Sequence, residues 1–164
     1  MKTLIFIITI LLISPIVYAN ELSQRFHDWY LFKTKINNQN TCYLISSPIK
    51  TEGNFIKRAE PFFLVVDNFN NNIDEISISS GFNFNESSNV ELSFGIKKFY
   101  LLPYQSIAWA VKKNDDIDII KEMQKNADML VTSIAWDGKI AIDTYSLIGF
   151  ANSYNKLKQN CLEK

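Results

Sequence analysis

Two apolar, β-branched runs, Met129–Ala135 and Lys139–Tyr145, stand either side of Asp137-Gly138. Runs of this length and composition read as strands. Asp-Gly between them is a strong hairpin signal, because a type I′ turn needs positive φ at both central residues. Ser146 follows as the predicted N-cap of a helix, with Leu147, Phe150, Tyr154 and Leu157 as its apolar stripe. A hairpin this apolar is not stable alone. It needs further strands and a covering layer, so the chain is constrained to be mainly β.

The upstream sequence supplies the other strands. Asp28–Lys35 is aromatic and partly alternating, and Thr41–Ser46 pairs with it as a predicted hairpin across the polar residues 37–40. Pro61–Asp67 is a continuous apolar run, the pattern of a strand buried on both faces. Glu75–Ser80 and Val90–Ile96 alternate, as half-buried strands do. Residues 97–102 continue as strand until Pro103, and Ser106–Val111 sets Ile107, Trp109 and Val111 on one face and Ala108 and Ala110 on the other. Residues 114–126 predict a helix, with Asp115 and Asp116 near its start, Ile117, Ile120 and Met123 at helical spacing, and Lys121 and Lys125 toward its end. Eight or nine strands and about two short covering α-helices imply an antiparallel β-sandwich or barrel-like fold. Nothing in residues 20–164 signals a second domain.

The first nineteen residues carry a different message. Lys2 precedes the apolar run Leu4–Ile13, Ser14-Pro15 breaks it, and Val17-Tyr18-Ala19 fits a small-x-small cleavage site. This predicts a signal peptide, residues 1–19, cut near Ala19-Asn20. The product is then periplasmic, secreted or on the cell surface, and no later window is apolar enough for a transmembrane segment. Ile, Lys and Asn number 22, 15 and 17, whereas arginine occurs only at Arg25 and Arg58. Codons for the favoured three are AT-rich, which points to a low-GC bacterium.

Charge and chemistry exclude several function classes. Without Lys2 the chain has 16 basic and 17 acidic residues, so no strong field steers it to nucleic acid. One histidine, His27, and no Cys-x-x-Cys spacing argue against a metal site. Five scattered glycines give no phosphate loop, and no cofactor is predicted. A hydrolase using His27 with Asp28 is arithmetically possible, but no serine sits in a Gly-x-Ser-x-Gly elbow. The carboxylates at Asp115, Asp116, Asp118 and Glu122 suit helix capping better than catalysis. The reading is therefore of a non-enzymatic protein. Cys42 and Cys161 form an even pair, which in an oxidising compartment suggests one disulfide; two separate thiols are the alternative. Trp29, Trp109 and Trp136 are candidate binding anchors or core residues. Trp136, abutting a turn, is the one expected on a recognition surface.

The order of short motifs resembles the invasion-associated locus B family of alphaproteobacterial secreted proteins. The carrying residues are Asp28 and Trp29; Arg58, Pro61, Phe62 and Val65; Ala108, Trp109 and Ala110; Met123; and Gly138 with Asp143, Thr144, Tyr145, Ser146, Leu147, Gly149 and Phe150. The composition would suit an intracellular member such as a rickettsia. The resemblance implies a periplasmic or surface protein linked to host-cell invasion, acting through an unidentified protein partner, and it supplies no reaction. Many members carry cysteines after the early Trp and in mid-chain, where this sequence has none. Within the motif, Asp143 or Ser146 is expected to accept backbone N–H bonds at the helix start, Gly149 to let the helix lie close to a sheet, and Tyr145 and Phe150 to be structural. A periplasmic structural or chaperone-like factor offering a sheet edge to clients is the second reading.

Overall fold

The computed structural model describes residues 21–36, 39–55, 57–68 and 73–162. The predicted signal peptide lies outside the described residues. Eleven strands and two helices follow one another: β1 (Glu21–Phe26), β2 (Trp29–Ile36), β3 (Gln39–Ser46), β4 (Lys50–Gly53), β5 (Phe62–Asn68), β6 (Ile73–Ser79), β7 (Val90–Phe94), β8 (Lys97–Tyr104), β9 (Ile107–Trp109), α1 (Lys113–Met123), β10 (Asp128–Ile134), β11 (Ile140–Ser146) and α2 (Phe150–Leu162). The protein is mainly antiparallel β, as the strand patterns imply.

The strands form one ladder in the order β1-β2-β3-β5-β6-β9-β8-β7-β10-β11-β4. Its two ends do not pair, so it is not closed into a barrel. Instead the sheet doubles over. The Trp29 indole on β2 donates to the Ser146 carbonyl on β11 at 2.9 Å. The Phe63 ring on β5 meets Tyr145 edge-on at 5.9 Å, and the Ser133 hydroxyl on β10 donates to that of Ser80 at 2.9 Å. Strands distant in the ladder thus face each other across a shared apolar layer, the arrangement of a sandwich.

The corner is made by β8. Its first five residues pair with β7 and its last three with β9. Pro103, expected to end the strand, instead lies within it, opposite Ala108. It sits where β8 has left β7 and keeps a neighbour on one side only, so its missing N–H is tolerated. Neither β1 (ELSQRF) nor β4 (KTEG) was expected. Both are polar edge strands held by backbone pairing to β2 and β11, and an edge strand needs no apolar face.

Period-2 alternation decides what is inside. On β2, β3, β5 and β6, one buried face carries Trp29, Leu31, Cys42, Leu44, Phe63, Val65, Ile76 and Ile78. The β5 run reads as doubly buried, yet only Phe63, Val65 and Asp67 are buried while Phe62, Leu64 and Val66 are half-exposed. The apolar composition of this strand therefore serves a second, open face.

The C-terminal hairpin pairs Ile134 with Ile140 through Asp128 with Ser146. Its turn is not type I′. The Gly138 N–H bonds to the Ala135 carbonyl, and of the loop residues only Gly138 has positive φ. A three-residue loop with glycine at the left-handed position does the work of the expected two-residue turn. Helix α2 begins at Phe150 rather than at Ser146, which is the last residue of β11; the Ser146 hydroxyl accepts from Ile148 N–H at 3.3 Å. Gly149, with φ +87°, precedes the helix, and a Cβ there would stand 2.6 Å from the Phe26 carbonyl oxygen. Only glycine allows both that φ and that approach.

From there α2 runs over β2, β3 and β5. Phe150 packs on Trp29 with ring centroids 4.7 Å apart. Two turns later Lys158 bonds Asp67 and Asp74, each at 2.8 Å, and the Tyr154 hydroxyl donates to Asp74. Burial raises the Asp67 carboxyl, with Lys158 opposing. Burial opposes the Lys158 charge, but its two carboxylate partners outweigh that and raise it. Helix α1 packs on β6 and buries Ile119, Ile120 and Met123, leaving Ile117 outward.

Candidate functional site

Two regions gather the residues singled out in the sequence, and they differ in kind. The first is a buried polar cluster under β4. Asp143 faces inward from β11 between Ala141 and Tyr145, all three fully buried. Its carboxylate meets the Arg58 guanidinium in a two-point pair, with Nη1 to Oδ2 at 2.7 Å and Nη2 to Oδ1. Thr51 on β4 donates to Oδ1 at 2.9 Å, Arg58 Nη1 also donates to the Ser80 carbonyl at 2.9 Å, and the Phe55 ring covers the guanidinium at 4.4 Å. Both oxygens of the buried carboxylate thus accept charge-assisted hydrogen bonds. Of the two residues expected to accept a backbone N–H ahead of the helix, Ser146 does so, while Asp143 holds the chain around Arg58 and β4 onto β11. The Tyr145 hydroxyl is buried and pairs with no described group; burial, then the neighbouring Asp143 charge, pushes its pKa up. The ion pair of this cluster is buried, with Thr51 at its exposed rim.

The second region is on the open face of the sheet. Tyr30, Ile45, Leu64, Ser77, Trp109 and Leu102 stand in one register row across β2, β3, β5, β6, β9 and β8. Beside it Phe32 stacks on Tyr43 at 5.2 Å, and Tyr104 meets Trp109 edge-on at 6.4 Å. Antiparallel sheets usually turn a polar face to water; this half of the sheet turns an aromatic one. The corresponding face of β7, β10 and β11 is mixed, with Glu91, Ser93, Thr132 and Thr144 set among Leu130, Ile140 and Ile142.

Beside Ser77 and Trp109 the row borders a cleft of about 500 Å³ lined by Val66, Glu75, Ile76, Ser77, Trp109, Ala110 and Asp116. It exists because β9 is only three residues long. Past Ser77 the edge of β6 has no strand beside it, and the first turn of α1 takes that place. Asp116 Oδ1 accepts the Ile76 N–H at 3.0 Å, filling the vacant ladder position. Asp116 is 7% exposed. Its other oxygen has no protein donor among the described residues. Burial first, then the charges of Glu75, Asp115 and Asp74, push its carboxyl up to about 6 against the Ile76 hydrogen bond. Such a perturbed group in an apolar cleft marks a candidate binding site. Sequence reasoning assigned Asp116 to helix capping, since its distance from β6 cannot be read from spacing. Trp109 was recognised as a possible anchor.

The raised carboxyl has a measurable consequence. Between pH about 4 and 6 the folded protein keeps a proton on Asp116 that the unfolded chain has released. Stability therefore falls as pH rises through this window and is flat above it. About two units correspond to some 1–3 kcal/mol once solvent access through the open cleft is discounted. Asp116→Asn keeps an acceptor for Ile76 and removes the charge. Urea unfolding at pH 4.5 and 7.5 should show the variant more stable at pH 7.5 and less pH-dependent than the parent; identical pH dependence in the two proteins would refute it.

The remaining candidates disperse. His27 is exposed on the β1–β2 turn with φ +54°, beside Gly149, and lines neither region. Its imidazole has no hydrogen bond to a serine among the described residues. Trp29 is fully buried; Trp136 is 73% exposed at the β10–β11 turn, outside the aromatic row, which ends at β8. Phe150 and Ser146 belong to the packing of α2. Cys42 is fully buried on β3, while the side chain of Cys161 lies outside the described residues. Among the described residues no group of acids, histidines and cysteines is placed to hold a metal, and no helix is long and apolar enough to cross a membrane.

No known protein family and no curated protein matches the sequence. The structure, however, is similar to the crystal structure of invasion associated protein b from Bartonella henselae, with a TM-score of 0.64 and 17% identity over 87% of this chain and 99% of that one. At this identity the likeness is one of fold. It agrees with the resemblance drawn from the motifs, whose residues meet in space: Asp143 with Arg58, and Trp29 with Phe150 and the Ser146 carbonyl.

Proposed function

We propose that the protein is an exported, non-enzymatic envelope module of the invasion-associated locus B type, which binds a protein partner and contributes to contact with a host cell. The observation that supports it best is the largely apolar row across six strands on one open sheet face, with Tyr30 and Trp109 in it and Phe32, Tyr43 and Tyr104 beside it. Exposed apolar surface of this kind is a hallmark of interaction sites, and the fold likeness adds weight to an invasion-associated role. A reading in which a sheet edge captures clients is less favoured, because the edge strand β4 is the short, charged, wholly exposed KTEG.

The test is made in cells of the source bacterium. A photo-crosslinking amino acid at Tyr104, on the aromatic face, should give a discrete protein adduct in the periplasmic or surface fraction, and one at Glu52, on the charged edge strand β4 at the other end of the ladder, should not. Surface exposure is read by protease shaving of intact cells. Recovery in the cytoplasm, or adducts equally strong from both positions, would overturn the proposal.

A further inference from the structure

The cleft beside Trp109 has a chemistry of its own. Among the described residues its wall offers an indole, the apolar side chains of Val66 and Ala110, a serine and two carboxylates, and no basic group. Of the carboxylates, Asp116 is nine-tenths buried and uses one oxygen for Ile76, leaving the other aimed at no donor on the described protein. Lys112 stands exposed just before α1 and does not line the cleft. A buried anion without a counter-ion is costly, and a cation from outside offsets that cost. Trp109 provides the face on which a guanidinium or ammonium stacks best. Around 500 Å³ accepts a long side chain and part of its backbone. The row from Leu64 to Leu102 passes the mouth of the cleft and suits apolar residues flanking that side chain.

We infer that the cleft seats a lysine or arginine side chain presented by an apolar, extended segment of the protein partner, with Asp116 meeting the positive charge and Trp109 stacking on it. This rests on the reading of the aromatic face as a protein-binding surface and names what that face recognises. Charge complementarity selects the occupant: a neutral or acidic segment would leave Asp116 uncompensated or repelled. The charges of Glu75 on β6 and Asp115 on α1 act on the same carboxylate, as does Asp74, which is itself paired with Lys158, so the field at Asp116 favours a cation. Binding must then depend on ionised Asp116 and weaken in acid.

The probe is the fluorescein-labelled, amidated peptide Ser-Gly-Leu-Val-Arg-Val-Leu-Gly-Ser, with citrulline in place of arginine as the neutral control, titrated by anisotropy against residues 20–164. The arginine peptide should bind at least about tenfold tighter than the citrulline peptide. Asp116→Asn and Trp109→Ala should each weaken it by about tenfold or more, and lowering the pH from 7.5 to 5 should weaken it about tenfold for the parent but not for Asp116→Asn. Trp136→Ala should leave it unchanged. Far-UV circular dichroism and thermal unfolding verify that the variants fold. Equal binding of the two peptides, no binding of either at millimolar protein, or folded Asp116→Asn and Trp109→Ala variants that bind like the parent would overturn the inference. Crosslinks from Tyr104 in cells that persist with Trp109→Ala would sink the cleft while leaving the binding face intact.

Discussion

Arg58→Ala is expected to lower the free energy of unfolding by about 3–5 kcal/mol, measured by urea denaturation at neutral pH. The reason is the position of Asp143. Strand alternation aims it inward between Ala141 and Tyr145, and it is fully buried. Its charge is tolerable only because Arg58 bonds both carboxylate oxygens and Thr51 adds a third bond. Removing the guanidinium leaves a buried carboxylate with the Thr51 hydroxyl alone. Arg58→Lys should lose a large part of the same stability, since an ammonium cannot reproduce the two-point pair while also reaching the Ser80 carbonyl. The double variant Arg58→Met, Asp143→Leu should recover most of it, because neither buried charge then remains. If Arg58→Ala costs less than about 1 kcal/mol, the pair is a solvated surface contact and the account of the cluster fails.

The same cluster shows where sequence reading stops. The strands of the C-terminal hairpin were legible because period-2 alternation and a glycine turn are local signals. So was the helical stripe of Phe150, Tyr154 and Leu157. Sequence offered Asp143 and Ser146 as alternatives for a local acceptor and could not choose between them, because the partner of Asp143 lies 85 residues away in sequence. Strands β1 and β4 went unseen because edge strands are held by backbone bonds to a neighbour and need no apolar pattern. Pro103 was read as a stop because its ladder context, a neighbour on one side only, is a property of the sheet. The cleft was invisible for a related reason. It is formed by the shortness of β9 and by Asp116 reaching across to Ile76, a relation between elements 40 residues apart. Trp109 could be recognised as an aromatic on an alternating strand, but whether it faced core or solvent depended on the pairing Ser77↔Trp109.

The second large effect expected is on the link between β3 and α2. Cys42 is buried on β3 opposite Asp67 on β5. Lys158 on α2 bonds that Asp67 at 2.8 Å, and Cys161 follows Lys158 one turn later in the same helix. The pairing register thus brings the end of α2 toward the row of Cys42, and export would place the chain where thiols oxidise. We expect a Cys42–Cys161 bridge in protein folded under oxidising conditions. Closing a loop of more than a hundred residues, it should stabilise by about 4–5 kcal/mol in the chain-entropy treatment, less any strain. Intact-mass measurement should find the oxidised protein 2 Da lighter than the reduced one, as two lost hydrogens require. Unfolding in urea should shift to lower concentration with reductant for the parent and not for Cys161→Ser, whose β3 thiol remains buried in the same apolar row. That variant separates the bridge from the packing of Cys42: two free thiols by alkylation in the oxidised parent, or equal stability with and without reductant, would show that α2 is held without a bridge, by Lys158, Tyr154 and the packing of Phe150 and Leu157.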